Sequence, residues 1–246
     1  MSQTRYDLKT ADGTVDCYVH HPDGAGSWPA VIFYMDGLGI RPELQQMAER
    51  LASNGYYVLL PNLYYRAGDY APIDPSKMAD RGPEWDRLMK LVSSVTNDRI
   101  AQHTVTFLDF LSHQPAAKSD KVGCVGYCMG GAPTLIAAGR FPDRIAAAAS
   151  FHGANLATDR SDSPHLLADK IRAKVYVGVA ETDPFLFPDE TERLKGALAA
   201  AGVKHTVELY PGVVHGFAVP GVPMYDREAS ERHWQRLLAL YQETLA

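Results

Sequence analysis

Clustered positive charge, long apolar runs and cysteine are all scarce in this chain of 246 residues. Lysine and arginine never form a run and the net charge is -5 at pH 7, which argues against a nucleic-acid partner. No apolar run approaches the length of a membrane span, so no membrane role is expected. The opening MSQTRYDLKTADG lacks the basic-then-apolar layout of a secretion signal. There is no internal repeat, low-complexity tract or Pro/Gly/Ser linker, so residues 1–246 are read as a single domain. The three cysteines, Cys17, Cys124 and Cys128, are too few and too irregular for a disulfide framework, and none forms a C-x-x-C redox pair. Neither they nor the histidines show metal-ligand spacing, so no metal is expected. His20, His21, His103, His113, His165, His205 and His233 are all read as surface or loop residues. A catalytic thiol needs a reducing compartment, and the expected location is the cytoplasm.

What is present is alternation. Strand-like runs are read at Arg5–Leu8, Thr14–His20, Ala30–Tyr34, Tyr57–Leu60, Val122–Tyr127, Ile145–Phe151, Val175–Ala180 and His205–Tyr210. The later ones are nearly all apolar, as strands covered on both faces are. Helical stretches are read at Pro42–Ser53, Asp98–Ser112, Met129–Arg140, Asp189–Ala200 and Glu228–Leu245, with Leu44, Met47, Ala48 and Leu51 giving helical spacing in the first. An antiparallel pair followed by β-α-β units predicts an α/β fold, a mostly parallel sheet of about eight strands with helices on both faces. Pro61–Arg81, rich in Tyr, Pro and Asp, breaks the rhythm and reads as a long loop or cap over the sheet.

The most informative local pattern is Gly126-Tyr127-Cys128-Met129-Gly130-Gly131, placed between an apolar strand and a run of small residues. It has the layout of a nucleophile elbow, G-x-Nuc-x-G, on a tight strand-to-helix turn. The residues two before and two after the nucleophile pass so close that only small side chains fit. Serine usually fills the centre; here it is Cys128. A buried cysteine is more often a small core residue, which is how Cys17 and Cys124 read, but neither carries a glycine frame.

A thiol nucleophile needs a base, and the base needs an acid to orient it, in the chain order nucleophile, acid, histidine. Asp183 follows the strand Val175–Ala180 just before Pro184, with Glu181 as rival acid; His215 follows the next strand beside Gly216. His152, also at a strand end, is an alternative base or a pocket residue. An oxyanion hole is expected from the Met129 N–H, at a helix start, and from Gly37 or Leu38 in the loop Met35-Asp36-Gly37-Leu38-Gly39-Ile40. Asp36 is the odd residue there: a carboxylate opposes charge developing nearby, unless it is a surface turn residue.

Taken together, the chain resembles the dienelactone hydrolase family over most of its length. The likeness runs through Tyr34-Met35-Asp36-Gly37, Gly55-Tyr56-Tyr57-Val58, Pro61-Asn62-Leu63-Tyr64-Tyr65-Arg66, the cysteine elbow, Asp183-Pro184-Phe185, His215-Gly216-Phe217 and a closing helix with Trp234. The cysteine elbow is its most specific element. The resemblance implies an α/β-hydrolase fold, a Cys128–His215–Asp183 triad, and opening of a dienelactone, a cyclic enol ester from catechol breakdown, to maleylacetate through a thioester acyl-enzyme. It implies no cofactor or metal. It also implies a carboxylate holding the thiol neutral until substrate arrives, a gating place taken here by Asp36, one methylene shorter than the family's glutamate. A further departure is that the family holds the lactone carboxylate with arginines, one of them soon after the triad histidine; here Phe217-Ala218-Val219-Pro220-Gly221 follows and the first arginine is Arg227. Arg66 and Arg81 are the replacements considered, and Tyr64, Arg66, Arg81, His152 and Phe217 are the candidate substrate contacts. The substrate expected is a small ester or lactone and the assembly a monomer or small homo-oligomer. The competing readings are a carboxylesterase-like enzyme for another small ester, a thiol redox or peroxidase-type protein using Cys128, and a non-catalytic binding protein on the same scaffold.

Overall fold

The computed structural model describes residues 1–77 and 81–245. Its strands are β1 (Ser2–Thr10), β2 (Gly13–His21), β3 (Trp28–Tyr34), β4 (Tyr57–Pro61), β5 (Ala117–Tyr127), β6 (Ile145–Phe151), β7 (Lys174–Thr182) and β8 (His205–Val214). Its helices are α1 (Pro42–Ser53), α2 (Pro83–Ser93), α3 (Asn97–Ser112), α4 (Gly131–Arg140), α5 (Pro188–Ala200) and α6 (Arg227–Thr244). All eight strands join one sheet in the order β1-β2-β4-β3-β5-β6-β7-β8. β1 and β2 pair antiparallel, as do β2 and β4, and every other neighbouring pair is parallel.

Residue alternation clothes both faces of this sheet. On β3, Tyr34 bonds Thr104 of α3 through its hydroxyl, while the adjacent Phe33 meets the ring of Tyr127, whose hydroxyl in turn meets His233 of α6. Arg50 of α1 and Glu231 of α6 pair bidentately on that second side. The central strands are accordingly buried almost throughout, whereas edge strand β1 is mostly half-buried or exposed.

Several readings need correction. Pro83–Ser93, left unassigned by the periodicity reading, is a helix; Pro83 starts it and Leu88 and Leu91 are buried. Pro61–Arg81 is not wholly irregular, because Tyr65–Ala67 and Pro75–Lys77 form single 3-10 turns; its residues 78–80 lie outside the described residues. His20, His103 and His233 are buried rather than superficial. β8 runs past Tyr210 to Val214, so His215 follows a strand directly. Cys17 and Cys124 are buried free thiols in the core.

The topology places the site. From β3 the chain moves outward to β4 on one side, then crosses back to β5 on the other. A crevice opens beyond the carboxyl ends of strands at such a reversal. The loop after β3 and the elbow after β5 meet at this point.

Candidate active site

Cys128 sits at φ +53°, a left-handed conformation that a non-glycine residue adopts only when its surroundings hold it there. What holds it is backbone packing. A Cβ on Gly126 would lie 1.8 Å from the Gly130 carbonyl oxygen, and one on Gly130 would lie 2.4 Å from the Tyr34 oxygen. The elbow is thus clamped onto itself and onto the end of β3. Cys128–Gly130 form a 3-10 turn before α4 begins at Gly131, so the expected helix start at Met129 is two residues early. Amide groups of this first turn have no helical acceptor, which leaves the Met129 N–H available.

Asp183 and His215 are brought together by strand register. β7 and β8 shift register after Ala180, Thr182 pairs with Val214, and the His215 N–H donates to the Thr182 carbonyl at 3.1 Å. The next residue, just past the end of β7, is Asp183. His215 Nδ1–H then lies 2.9 and 2.8 Å from the two Asp183 carboxylate oxygens. The carboxylate is buried and also accepts the Phe185 N–H at 2.9 Å, so it is fixed in place. Glu181, the rival acid, is exposed and accepts the Gly212 N–H instead.

The other ring nitrogen, Nε2, is buried and has no hydrogen-bond partner among the described residues, and His215 shares the cavity lining with Cys128. Burial pushes the imidazole toward neutrality. The neighbouring Cys128 sulfur and the hydrogen bond to Asp183 together outweigh this and lift the His215 pKa to about 10. The ring is therefore held in its protonated form near neutral pH.

The loop after β3 is held differently from expectation. Asp36 is buried, not a surface turn residue, and Arg41 binds both its oxygens, Nη1 to Oδ1 at 2.6 Å and Nη2 to Oδ2 at 2.7 Å. Oδ1 also accepts the Leu38 N–H at 3.0 Å. Leu38 is thereby removed as an oxyanion donor, because its only N–H is taken. The Gly37 N–H makes no hydrogen bond among the described residues.

The candidate substrate contacts separate. Tyr64 is fully buried; its hydroxyl donates to the Gly37 carbonyl at 2.8 Å and lies 3.4 Å from the Met129 sulfur, bracing the loop against the elbow rather than facing a ligand. Arg66 turns away to pair with Asp12 in the β1–β2 turn. Arg81 lies over the outer ring of Trp85, with its guanidinium carbon 5.3 Å from the ring centre, and does not line the cavity. Phe217 is buried against Tyr210 and His152. Of the five, His152 alone lines the cavity, edge-on to His215 at 5.1 Å between ring centres. Burial first, and then the nearby His215 charge, hold it neutral, so it is poorly suited to act as the base.

These groups open onto a cavity of about 450 Å³ that includes Gly37, Cys128, Met129 and His215. One wall, formed by Trp85, Leu88, Met89 and Val92 of α2, went unread in the sequence. The signal was there: these positions follow the i, i+3, i+4, i+7 spacing of one helix face behind Pro83. Among the described residues no group of three or more His, Cys, Asp or Glu is placed to hold a metal ion. No described helix is long and apolar enough to cross a membrane.

The sequence model of the dienelactone hydrolase family matches residues 15–245. The chain belongs to the dienelactone hydrolase family. A Synechocystis protein provisionally named a carboxymethylenebutenolidase is 28% identical over 231 residues, spanning 93% of this chain and 91% of that one. Protein usf of Aquifex pyrophilus is 26% identical over 232 residues, 93% of each chain. In three dimensions the chain superposes on a provisionally named dienelactone hydrolase from Klebsiella pneumoniae with a TM-score of 0.85, at 24% identity and 98% coverage of both. It superposes on a dienelactone hydrolase-like promiscuous phosphotriesterase from metagenomic libraries with a TM-score of 0.76, at 23% identity and full coverage of both. The fold is the α/β-hydrolase fold, and family membership makes the chain a hydrolase of carboxylic esters or lactones.

Proposed function

We propose that this dienelactone hydrolase relative cleaves a small ester or lactone by nucleophilic catalysis, with Cys128 as nucleophile, His215 as acid and base, and Asp183 as orienting carboxylate. The observation that carries the reading is the His215 ring, which is anchored to Asp183 at Nδ1, unbonded at Nε2 and raised in pKa by the Cys128 sulfur. The Cys128 thiolate attacks the ester carbonyl, forming a carbon–sulfur bond and placing the electron pair on the carbonyl oxygen. The N–H groups of Met129 and Gly37 receive that oxyanion. The intermediate collapses, the carbon–oxygen bond breaks, and the proton on His215 Nε2 passes to the departing alkoxide or enolate. His215, now neutral, takes a proton from water as the oxygen attacks the thioester. Collapse expels the thiolate, releases the acid and restores the thiolate–imidazolium pair.

Asp36 in this scheme does not gate the thiol. Arg41 and the Leu38 N–H occupy its oxygens and balance its charge, so the carboxylate is engaged in holding the β3 loop. The reading is tested by hydrolysis of an activated ester by Cys128→Ala. A loss of at least about a thousandfold in kcat/KM is expected, and turnover within a few fold of the parent overturns it.

A further inference from the structure

The cavity beside Cys128 has an uneven chemistry. Its lining is largely apolar beside the reacting residues, with Trp85, Leu88 and Val92 from α2 and, on other elements, Phe185 and Val219. Phe185 meets the His215 ring edge-on at 4.8 Å and lies nearly parallel to Trp85 at 6.3 Å. An aromatic and aliphatic surface therefore begins at the reacting atoms and runs outward. Anything joined to the ester carbonyl has to lie against it.

Charge is almost absent along this path. Among the described residues that line the cavity the one guanidinium is Arg160, and there is no lysine. Arg160 is 72% exposed, at the mouth, and both its Nε and Nη2 are committed to the Asp162 carboxylate at 2.8 and 2.9 Å. The other cationic group is His215, engaged with Asp183 and the thiol. His152 is neutral, and Asp36 is matched by Arg41. A carboxylate on the substrate would enter apolar surroundings with no free cation to meet it, and two acids, Asp36 and Asp162, already line the walls. Desolvating an unpaired carboxylate in that setting opposes binding strongly. An uncharged hydrocarbon group gains from the same walls.

We infer that this site, taken as the esterase site proposed above, selects an uncharged ester or lactone with an apolar body and discriminates against one carrying a carboxylate. α2 is the selectivity element, because it turns Trp85, Leu88 and Val92 toward the space a substrate's carboxylate would have to occupy.

The test is a set of p-nitrophenyl esters with one leaving group: acetate, butyrate, hexanoate, and the adipate monoester, in which the terminal methyl of hexanoate is replaced by a carboxylate. For the parent enzyme kcat/KM should rise by about threefold to fourfold per methylene up to hexanoate, the transfer ratio for a buried CH2. Hexanoate should exceed the adipate monoester by about tenfold or more. Trp85→Ala should lower the hexanoate-to-acetate ratio of kcat/KM by about threefold or more, a change of ratio that a loss of folded protein would not produce. A flat or falling chain-length series, or an adipate monoester equal to or better than hexanoate, overturns the inference. Failure of the underlying catalytic reading shows separately, as retained acetate turnover in Cys128→Ala.

Discussion

His215 carries opposing influences in a single ring. Burial lowers its proton affinity, while the Cys128 charge and the bond to Asp183 raise it, and the rise wins at about 10. In the proposed mechanism the contribution of Cys128 is the one that disappears when its sulfur is acylated. With the sulfur tied up in a thioester, burial acts against Asp183 alone, and the imidazole moves toward the neutral form that activates water. This gives a direct prediction: in Cys128→Ala the His215 pKa, followed by NMR of the ring, falls by at least about one unit. An unchanged pKa would show that the sulfur does not govern the ring. Asp183 and His215 were legible in the sequence because chain order and strand ends determine them. The Arg41–Asp36 pair was not: no periodicity connects two side chains that meet across a loop, and the same holds for the Leu38 N–H and for Arg66 turning to Asp12.

The elbow is the element on which the others depend. Its glycines are needed because backbone faces backbone: the 2.4 and 2.5 Å separations between a Cβ at Gly130 and the Tyr34 and Met35 oxygens leave nothing flexible to yield. Gly130→Ala should destabilise the fold by about 3 kcal/mol in denaturant unfolding and abolish ester turnover, since either β3 or Cys128 must shift. A variant of parental stability and activity would mean that the elbow is looser than this geometry states. The elbow could be read from sequence because its chemistry is local. α2 escaped because its polar face, including Glu84, Asp86, Arg87 and Lys90, sits directly after a Tyr- and Pro-rich stretch that reads as loop. Its apolar stripe gains meaning only once the cavity it borders is known.

Across the molecule, a mostly parallel sheet of eight strands followed from alternating apolar runs, whereas the strand order and the buried histidines did not. His20, His103, His152 and His233 are each pushed toward neutrality by burial, His233 to about 3. Below the usual 6.5 the unfolded chain binds protons that the folded chain refuses, so stability drains away as pH falls from about 6.5 toward about 3. His215 works the other way: raised above 6.5, its contribution is complete below that pH and is lost as pH climbs toward about 10. The four outweigh the one on the acid side. Tm should be about 5 °C or more lower at pH 5 than at pH 7, and a Tm that holds steady or rises would contradict the neutral burial of these rings.

The most direct measurement is of the covalent intermediate itself. The protein is mixed with excess p-nitrophenyl hexanoate, quenched in acid within the first turnovers, and digested for mass spectrometry. The expected result is a hexanoyl group on the peptide carrying Cys128, absent from the same peptide of Cys128→Ala. Full turnover with no acyl group at Cys128, or with the acyl group on another residue, would contradict the thiol as nucleophile.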